Sequence, residues 1–399
     1  MTTVSTVTYP IYDADRHFYE PPEAFLRHLP KKFHREFQYV EVKGRTKLAV
    51  GGMLSDYIPN PTFEVVAAPG VHEKWYRGDN PEGMTLREAT GKPVPSQAAF
   101  NNGAAHLKVM DTQEIHGGLF LPTLTSIVEE RLADRNDAIQ ALLHSVNQWT
   151  IDENGFALDN RLFTVPMINL SNIDAACKEL EFVLAAGARV VGIRPAPVAG
   201  LSGGRSMGFR EFDPFWARVE EAGIFVVLHV SDSGYDKINQ WWTAGGKGEF
   251  LPFEKDPFSE ILDWMGRPIA DTLAALICHG VFDRFPGVRV ASLENGAAWL
   301  EPLLDRIKTA HHKMPRQFKQ DPIETFKKNV FVAPFYEDSV ERVIELIGAE
   351  RVLFGSDWPH PEGLAHPLDF LNDIATLNAD QTRQIMSSNL KGLLEGVRE

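Results

Sequence analysis

Cysteine is nearly absent. Cys177 and Cys278 are the only two among 399 residues. No disulfide framework is indicated, and both thiols are expected to be buried and reduced. Long apolar runs are missing as well. None reaches the roughly 18 residues of a membrane span. The start, MTTVSTVTYPIYDADRH, lacks both a basic stretch and a long apolar segment, so no secretory leader is expected. Excess positive charge is also lacking. The formal net charge is −14, which argues against nucleic acid or an anionic membrane as partner. These absences predict a cytoplasmic protein that handles a small molecule, with a homo-oligomer, a dimer, as the expected assembly.

What is present is an ordinary globular core, with 44% hydrophobic residues. Eight apolar runs recur, at 9–15, 118–122, 162–168, 189–194, 224–231, 288–294, 329–335 and 351–357. Helix-like patterns separate all but the first pair cleanly. Apolar strands joined by helices imply a parallel sheet buried on both faces. Eight such units predict an α/β fold, a distorted (β/α)8 TIM barrel. An open doubly wound sheet is the alternative, but no glycine-rich phosphate turn follows the first run. Residues 21–104 break the rhythm. They read as a cap or lid insertion after strand 1 of a single domain spanning 1–399, with a hairpin over 36–50 around Lys43-Gly44.

Barrel chemistry sits at the C-terminal strand ends. There the sequence places Asp15, Arg16 and His17 (strand 1), Arg194 (strand 4), His229 (strand 5), Glu294 (strand 6) and Asp357 with Trp358 and His360 (strand 8). Asp15 and His17 are two apart, so they share one strand face while Arg16 points away. Two ligands on one face can share a metal without a turn, and His229 and Asp357 can complete the site. Imidazole with carboxylate suits zinc or manganese, with iron(II) also admissible. Taken singly, each residue has a plainer explanation: a solvated loop for Asp15 and His17, a buried hydrogen-bonded imidazole for His229, a turn for Asp357. Their convergence at one rim favours a metal site.

The stretches DADRHFYEP, GVFDRFPGVRV with ENGAAW, and LFGSDWPHPEG resemble the amidohydrolase superfamily. The similar branch is the amidohydrolase-2 type, which includes aminocarboxymuconate-semialdehyde decarboxylase. The resemblance spans 9–22 and 105–390. It implies a metal-dependent TIM barrel with Asp15, His17, His229 and Asp357 as ligands, Asp357 also moving protons. No lysine ends strand 4, so one divalent metal is implied rather than two. Decarboxylating members usually carry a catalytic histidine at the end of strand 6, where this chain has Glu294.

The expected activity is therefore a metal-dependent hydrolase acting on a small carboxylated or aromatic substrate. Asp357, Glu294 and His229 are its catalytic residues. Arg194, His360 and Trp358 are expected to bind substrate, and Glu20 to orient a ligand. A non-oxidative carboxy-lyase is the alternative, and a non-catalytic metabolite-binding barrel the alternative of another class. The insertion residues His72, Trp75, Tyr76, Arg77 and Phe100 suit either an aromatic ligand or an oligomer interface.

Overall fold

The computed structural model describes residues 8–55, 57–200, 203–243, 256–262 and 266–396. β1 (Tyr12–Asp13) and β2 (His17–Phe18) are the two ends of one extended run. After β2 the chain enters the insertion. β3 (Phe37–Val42) and β4 (Arg45–Val50) form the predicted hairpin. Lys43 and Gly44 both adopt positive φ, 52° and 74°, the turn geometry that matches right-handed strand twist. β5 (Met53–Ser55) adds a third strand, and β6 (Val65–Val66) pairs separately with β7 (Val94–Pro95).

The chain re-enters at β8 (Gly117–Pro122), which pairs in parallel with β1, β2 and β9 (Leu162–Thr164). β10 (Val190–Gly192), β11 (Phe225–His229), β12 (Arg289–Leu293) and β13 (Val330–Val332) form a second parallel run. Single bridges join the runs, Met167 to Gly192 and Val332 to Val352. The segment after Val352 closes the ring. Ala14 N–H donates to the Phe354 carbonyl, Asp357 N–H to that of Asp15, and His17 N–H to that of Trp358, each at 2.8 Å. The fold is thus the closed, distorted α/β TIM barrel that the pattern predicts.

Its strands are shorter than their apolar runs. The run 162–168 yields only three ladder residues, because Pro166 has no N–H to donate. The run 351–357 is tied by bridges and single hydrogen bonds rather than a ladder. The helix expected through DWMGRPIADTLAALICHGVFDRFPG is two, Gly266–Cys278 and Val281–Arg284, divided at Gly280, whose φ is 71°. Its first three residues lie outside the described residues. The C-terminal helical stretch is a series of short helices ending with Asn389–Glu395, and residue 397 is likewise outside the described residues.

Period-2 alternation sorts the core. Leu119, Leu121, Phe163, Val165, Phe225, Val227, Ala291, Leu293, Phe331 and Leu353 fill the barrel, and Leu390, Leu393 and Leu394 pack against them from the last helix. The alternate residues face the surrounding helices. Those helices start where capping predicts. Asn172 accepts from Ala175 N–H, and Ser339 from Arg342 N–H. Both cysteines are free, but only Cys177 is buried. Cys278, the last residue of its helix, faces outward, correcting the expectation of two buried thiols. Among the described residues no helix is long and apolar enough to cross a membrane.

Candidate metal centre and active site

The C-terminal strand ends meet at the floor of a cavity of about 1350 Å3. Asp15 and His17 reach it from the first strand, side by side, with His17 Nε2 3.1 Å from Asp15 Oδ1. Arg16 points the other way, as strand geometry requires. It is fully buried against Asp13 (3.0 Å), His106 (2.9 Å) and Gln113 (2.7 Å). Asp13 also accepts from Ser356 N–H at 2.9 Å and Ser356 Oγ at 2.6 Å, and so fastens strand 1 to strand 8. Gly355 belongs to the same junction. A Cβ there would lie 2.8 Å from that of Asp15, so only glycine lets the strands come this close.

Replacing Asp13 with alanine would leave the buried Arg16 guanidinium without its carboxylate. Such a loss costs about 3–5 kcal/mol. Urea unfolding of Asp13→Ala is expected to show a destabilisation of that order.

His229 arrives on β11. Its Nδ1 lies 2.8 Å from the Val230 carbonyl, which fixes that nitrogen as the donor and turns Nε2 toward the cluster. There Nε2 is 3.1 Å from His17 Nε2 and 3.3 Å from Asp15 Oδ1. Glu294 Oε2 is 3.0 Å from His229 Nε2 and 3.4 Å from His17 Nε2, yet it is buried without a well-formed hydrogen bond. Asp357 Oδ1 is 3.5 Å from His17 Nε2. Glu294 and Asp357 are both held at positive φ, 53° and 55°. Side-chain-bearing residues adopt that backbone at a cost of about 1–3 kcal/mol, and such outliers concentrate at functional sites.

Imidazole nitrogens facing each other, ringed by carboxylates and with an orphaned buried oxygen, are what a cation would satisfy. Two overlapping donor sets qualify geometrically: Asp15, His17, His229 and Glu294, and His17, Glu294, Asp357 and His360. The residues fit one divalent metal ion. Glu294 is the donor that sequence reasoning missed. It was expected as a catalytic group only, and the structure brings its carboxylate within reach of the same ion.

The electrostatics agree with that arrangement. Burial opposes a charge on His229, but Glu294 and Asp15 beside it outweigh this and raise its pKa to about 10. His17 is raised as well, burial being overcome by Asp15 and Glu294. Burial would lift Glu294, but the two imidazoles hold it well below the usual carboxylate range. Without metal, His229 therefore carries a proton at pH 7. An ion takes the deprotonated ring, so metal loading releases protons and affinity strengthens as pH rises toward 10. Calorimetry of zinc or manganese binding in two buffers of different ionisation heat is expected to show that release.

His360 extends the site. Its Nδ1 lies 2.6 Å from Asp357 Oδ1 and its Nε2 3.0 Å from Thr123 Oγ1. The Thr123 hydroxyl donates to the Phe18 carbonyl at 2.9 Å, so Thr123 Oγ1 accepts from His360 Nε2–H. A proton therefore sits between His360 Nδ1 and Asp357. Burial and the neighbouring carboxylates push Asp357 well above the usual range, and burial with the charge of His17 pushes His360 well below its own. Both shifts favour the Asp357 side of the pair for that proton.

Known proteins share this architecture. The family described as Amidohydrolase matches residues 103–389. The chain belongs to the amidohydrolase family. An amidohydrolase structure from Mycobacterium avium subsp. paratuberculosis K-10 is 39% identical, covers 97% of this chain and all of its own, and superposes with a TM-score of 0.90. A gamma-resorcylate decarboxylase from Rhodococcus jostii (strain RHA1) is 25% identical over 290 residues, 69% of this chain and 83% of that protein. A dihydroxybenzoic acid decarboxylase from Polaromonas sp. JS666, with bound manganese and 2-nitroresorcinol, shares 16% identity over 97% of each chain at a TM-score of 0.61. At that identity the likeness speaks to the fold alone.

Within this amidohydrolase barrel, some expected site residues lie elsewhere. Arg194 does not line the cavity. Its guanidinium donates to Glu130 at 2.8 Å and to the Asp232 carbonyl at 3.1 Å. Trp358 also turns away, packing on Phe100 and His106 with Arg16 over its ring at 4.9 Å. Glu20 touches no ligand. It accepts from the N–H groups of Thr123, Leu124 and Thr125, and so shapes the loop whose Thr123 anchors His360. Of the insertion residues, His72 and Tyr76 line the cavity. Arg77 is paired with Asp373 at 2.8 Å and 3.0 Å, and Phe100 is buried against Trp358.

Proposed function

We propose that the protein is a metal-dependent, non-oxidative decarboxylase of an aromatic or unsaturated carboxylic acid. The observation that carries this reading is the close pairing of Asp357 Oδ1 with His360 Nδ1, at 2.6 Å, facing the cluster of Asp15, His17, His229 and Glu294. Decarboxylation needs a proton delivered to carbon as carbon dioxide leaves. A carboxylic acid at the metal site is suited to that task, whereas hydrolysis would ask the same group to begin as a base. The gamma-resorcylate decarboxylases among the relatives support the same chemistry.

When bound, the ion supplies positive charge against which the substrate carboxylate and a neighbouring oxygen are held. With Arg194 bound to Glu130, that guanidinium does not serve this role. Asp357 gives its proton to the carbon that bears the carboxylate, and His360, held through Thr123, keeps Asp357 in place. We read residues 21–104 as the lid. Tyr57, Phe63, His72 and Tyr76 of the insertion wall the cavity, and rings there suit a flat substrate and exclude water around it.

Hydrolysis is the second reading, and Glu294 favours it. This carboxylate stands at the strand end where decarboxylating members of the family usually have histidine. A panel of hydroxybenzoates, including 2,6-dihydroxybenzoate, with aryl lactones and amides, tests the proposal on the manganese- and zinc-loaded protein. Carbon dioxide released from a carboxylate supports it. Turnover confined to lactones or amides contradicts it, and no turnover with any member points to a non-catalytic binding barrel.

A further inference from the structure

The opposite end of the barrel holds a second cavity, of about 420 Å3. Its walls come from the starts of β11, β12 and β13 and from the last helix, Asn389–Glu395. Arg289, Lys328 and Arg351 line it, against one carboxylate, Glu350.

Strand alternation explains why Arg289 turns inward, and both arginines line the cavity. Arg289 shares a face with Ala291 and Leu293, interior residues of the barrel, and Arg351 ends the short 3-10 turn Ala349–Arg351 just before the segment that carries Leu353. The bottom layer of such a barrel is ordinarily apolar and branched. Here it carries two guanidiniums. Arg289 donates only to the nearby Gly287 carbonyl, at 3.1 Å. Arg351 stacks on Phe331 at 4.9 Å, and its buried Nε has no acceptor. Burial depresses the pKa of Arg351, with the Glu350 carboxylate countering that shift and the Arg289 cation adding to it. Leaving a buried guanidinium N–H unpaired is costly, and a chain of net charge −14 has carboxylates to spare for pairing.

We infer that this cavity is a binding site for a phosphate-bearing small molecule. Two guanidinium forks and an ammonium match the geometry and charge of a phosphate dianion. The volume exceeds what phosphate alone fills, and the Phe331 and Leu393 side chains give the remainder an apolar wall. The site lies at the opposite strand ends from the metal cluster and shares no lining residue with that cavity.

Calorimetry with inorganic phosphate and with adenosine monophosphate tests this on the metal-loaded protein. Binding is expected to weaken about tenfold or more in Arg351→Gln, the loss of one charge-assisted contact, and to persist in Asp357→Asn. Lys328→Gln, at an exposed position that leaves folding unaffected, is expected to weaken binding too. Equal affinity for the two ligands assigns the site to phosphate itself, and tighter binding of the nucleotide assigns it to a phosphorylated metabolite. Absence of binding by the wild-type protein overturns the inference. So does binding that Asp357→Asn abolishes while Arg351→Gln and Lys328→Gln retain it.

Discussion

Asp357→Asn is expected to lower kcat by about 10²–10⁴, the span that a positioned general acid contributes. The amide keeps the shape of the carboxylate, and the neighbouring hydrogen bonds of the strand end are made by the backbone. Folding is therefore expected to survive. The amide cannot give up a proton to carbon, however, and its pairing with His360 Nδ1 becomes N–H to nitrogen. The loss is expected in kcat with little change in KM, because substrate holding does not depend on that proton. Steady-state kinetics checks this directly. A fall in KM-limited binding with kcat intact would place Asp357 in substrate recognition instead.

His229→Ala is expected to purify without stoichiometric metal and to lose turnover by roughly 10³-fold or more, since the ion supplies several kcal/mol of charge stabilisation. His229 is the donor best fixed by its surroundings. The Val230 carbonyl sets its tautomer, and Asp15 and Glu294 crowd its other nitrogen. Removing the ring leaves Asp15, Glu294 and Asp357 facing one another with less positive charge between them. Elemental analysis of the purified variant, alongside the wild type, reads the metal content. A variant that holds its metal as firmly as the wild type would show that His229 is not a ligand.

Much of this arrangement was legible because strands have a strict period. The two-residue spacing of Asp15 and His17 put both on one face, and Arg16, on the other, is indeed buried among Asp13, His106 and Gln113. His229 and Asp357 were legible from their places at the ends of apolar runs. Glu294 was legible as a polar residue at a strand end, but not as a metal donor. Its direction comes from a left-handed backbone at φ 53°, and alternation does not apply beyond such a turn. Arg194 illustrates the other limit. Its partner Glu130 lies 64 residues earlier, on an element whose approach to strand 4 no local pattern announces. Trp358 fails for a related reason, since the ring is drawn into an aromatic cluster built by Phe100 and His106 from the insertion boundary. Glu20 was read as a ligand orienter because it follows His17 closely. Three backbone N–H groups of the loop after β8 claim its carboxylate instead.

The proton on Asp357 is the centre of the functional account, and isotopes follow it. Metal-loaded protein turning over an aryl carboxylate in heavy water should release carbon dioxide and leave one deuterium on the carbon that lost the carboxylate, with no solvent oxygen in the product. Solvent oxygen incorporated from labelled water, with the carboxylate retained, would contradict the account and make the enzyme a hydrolase.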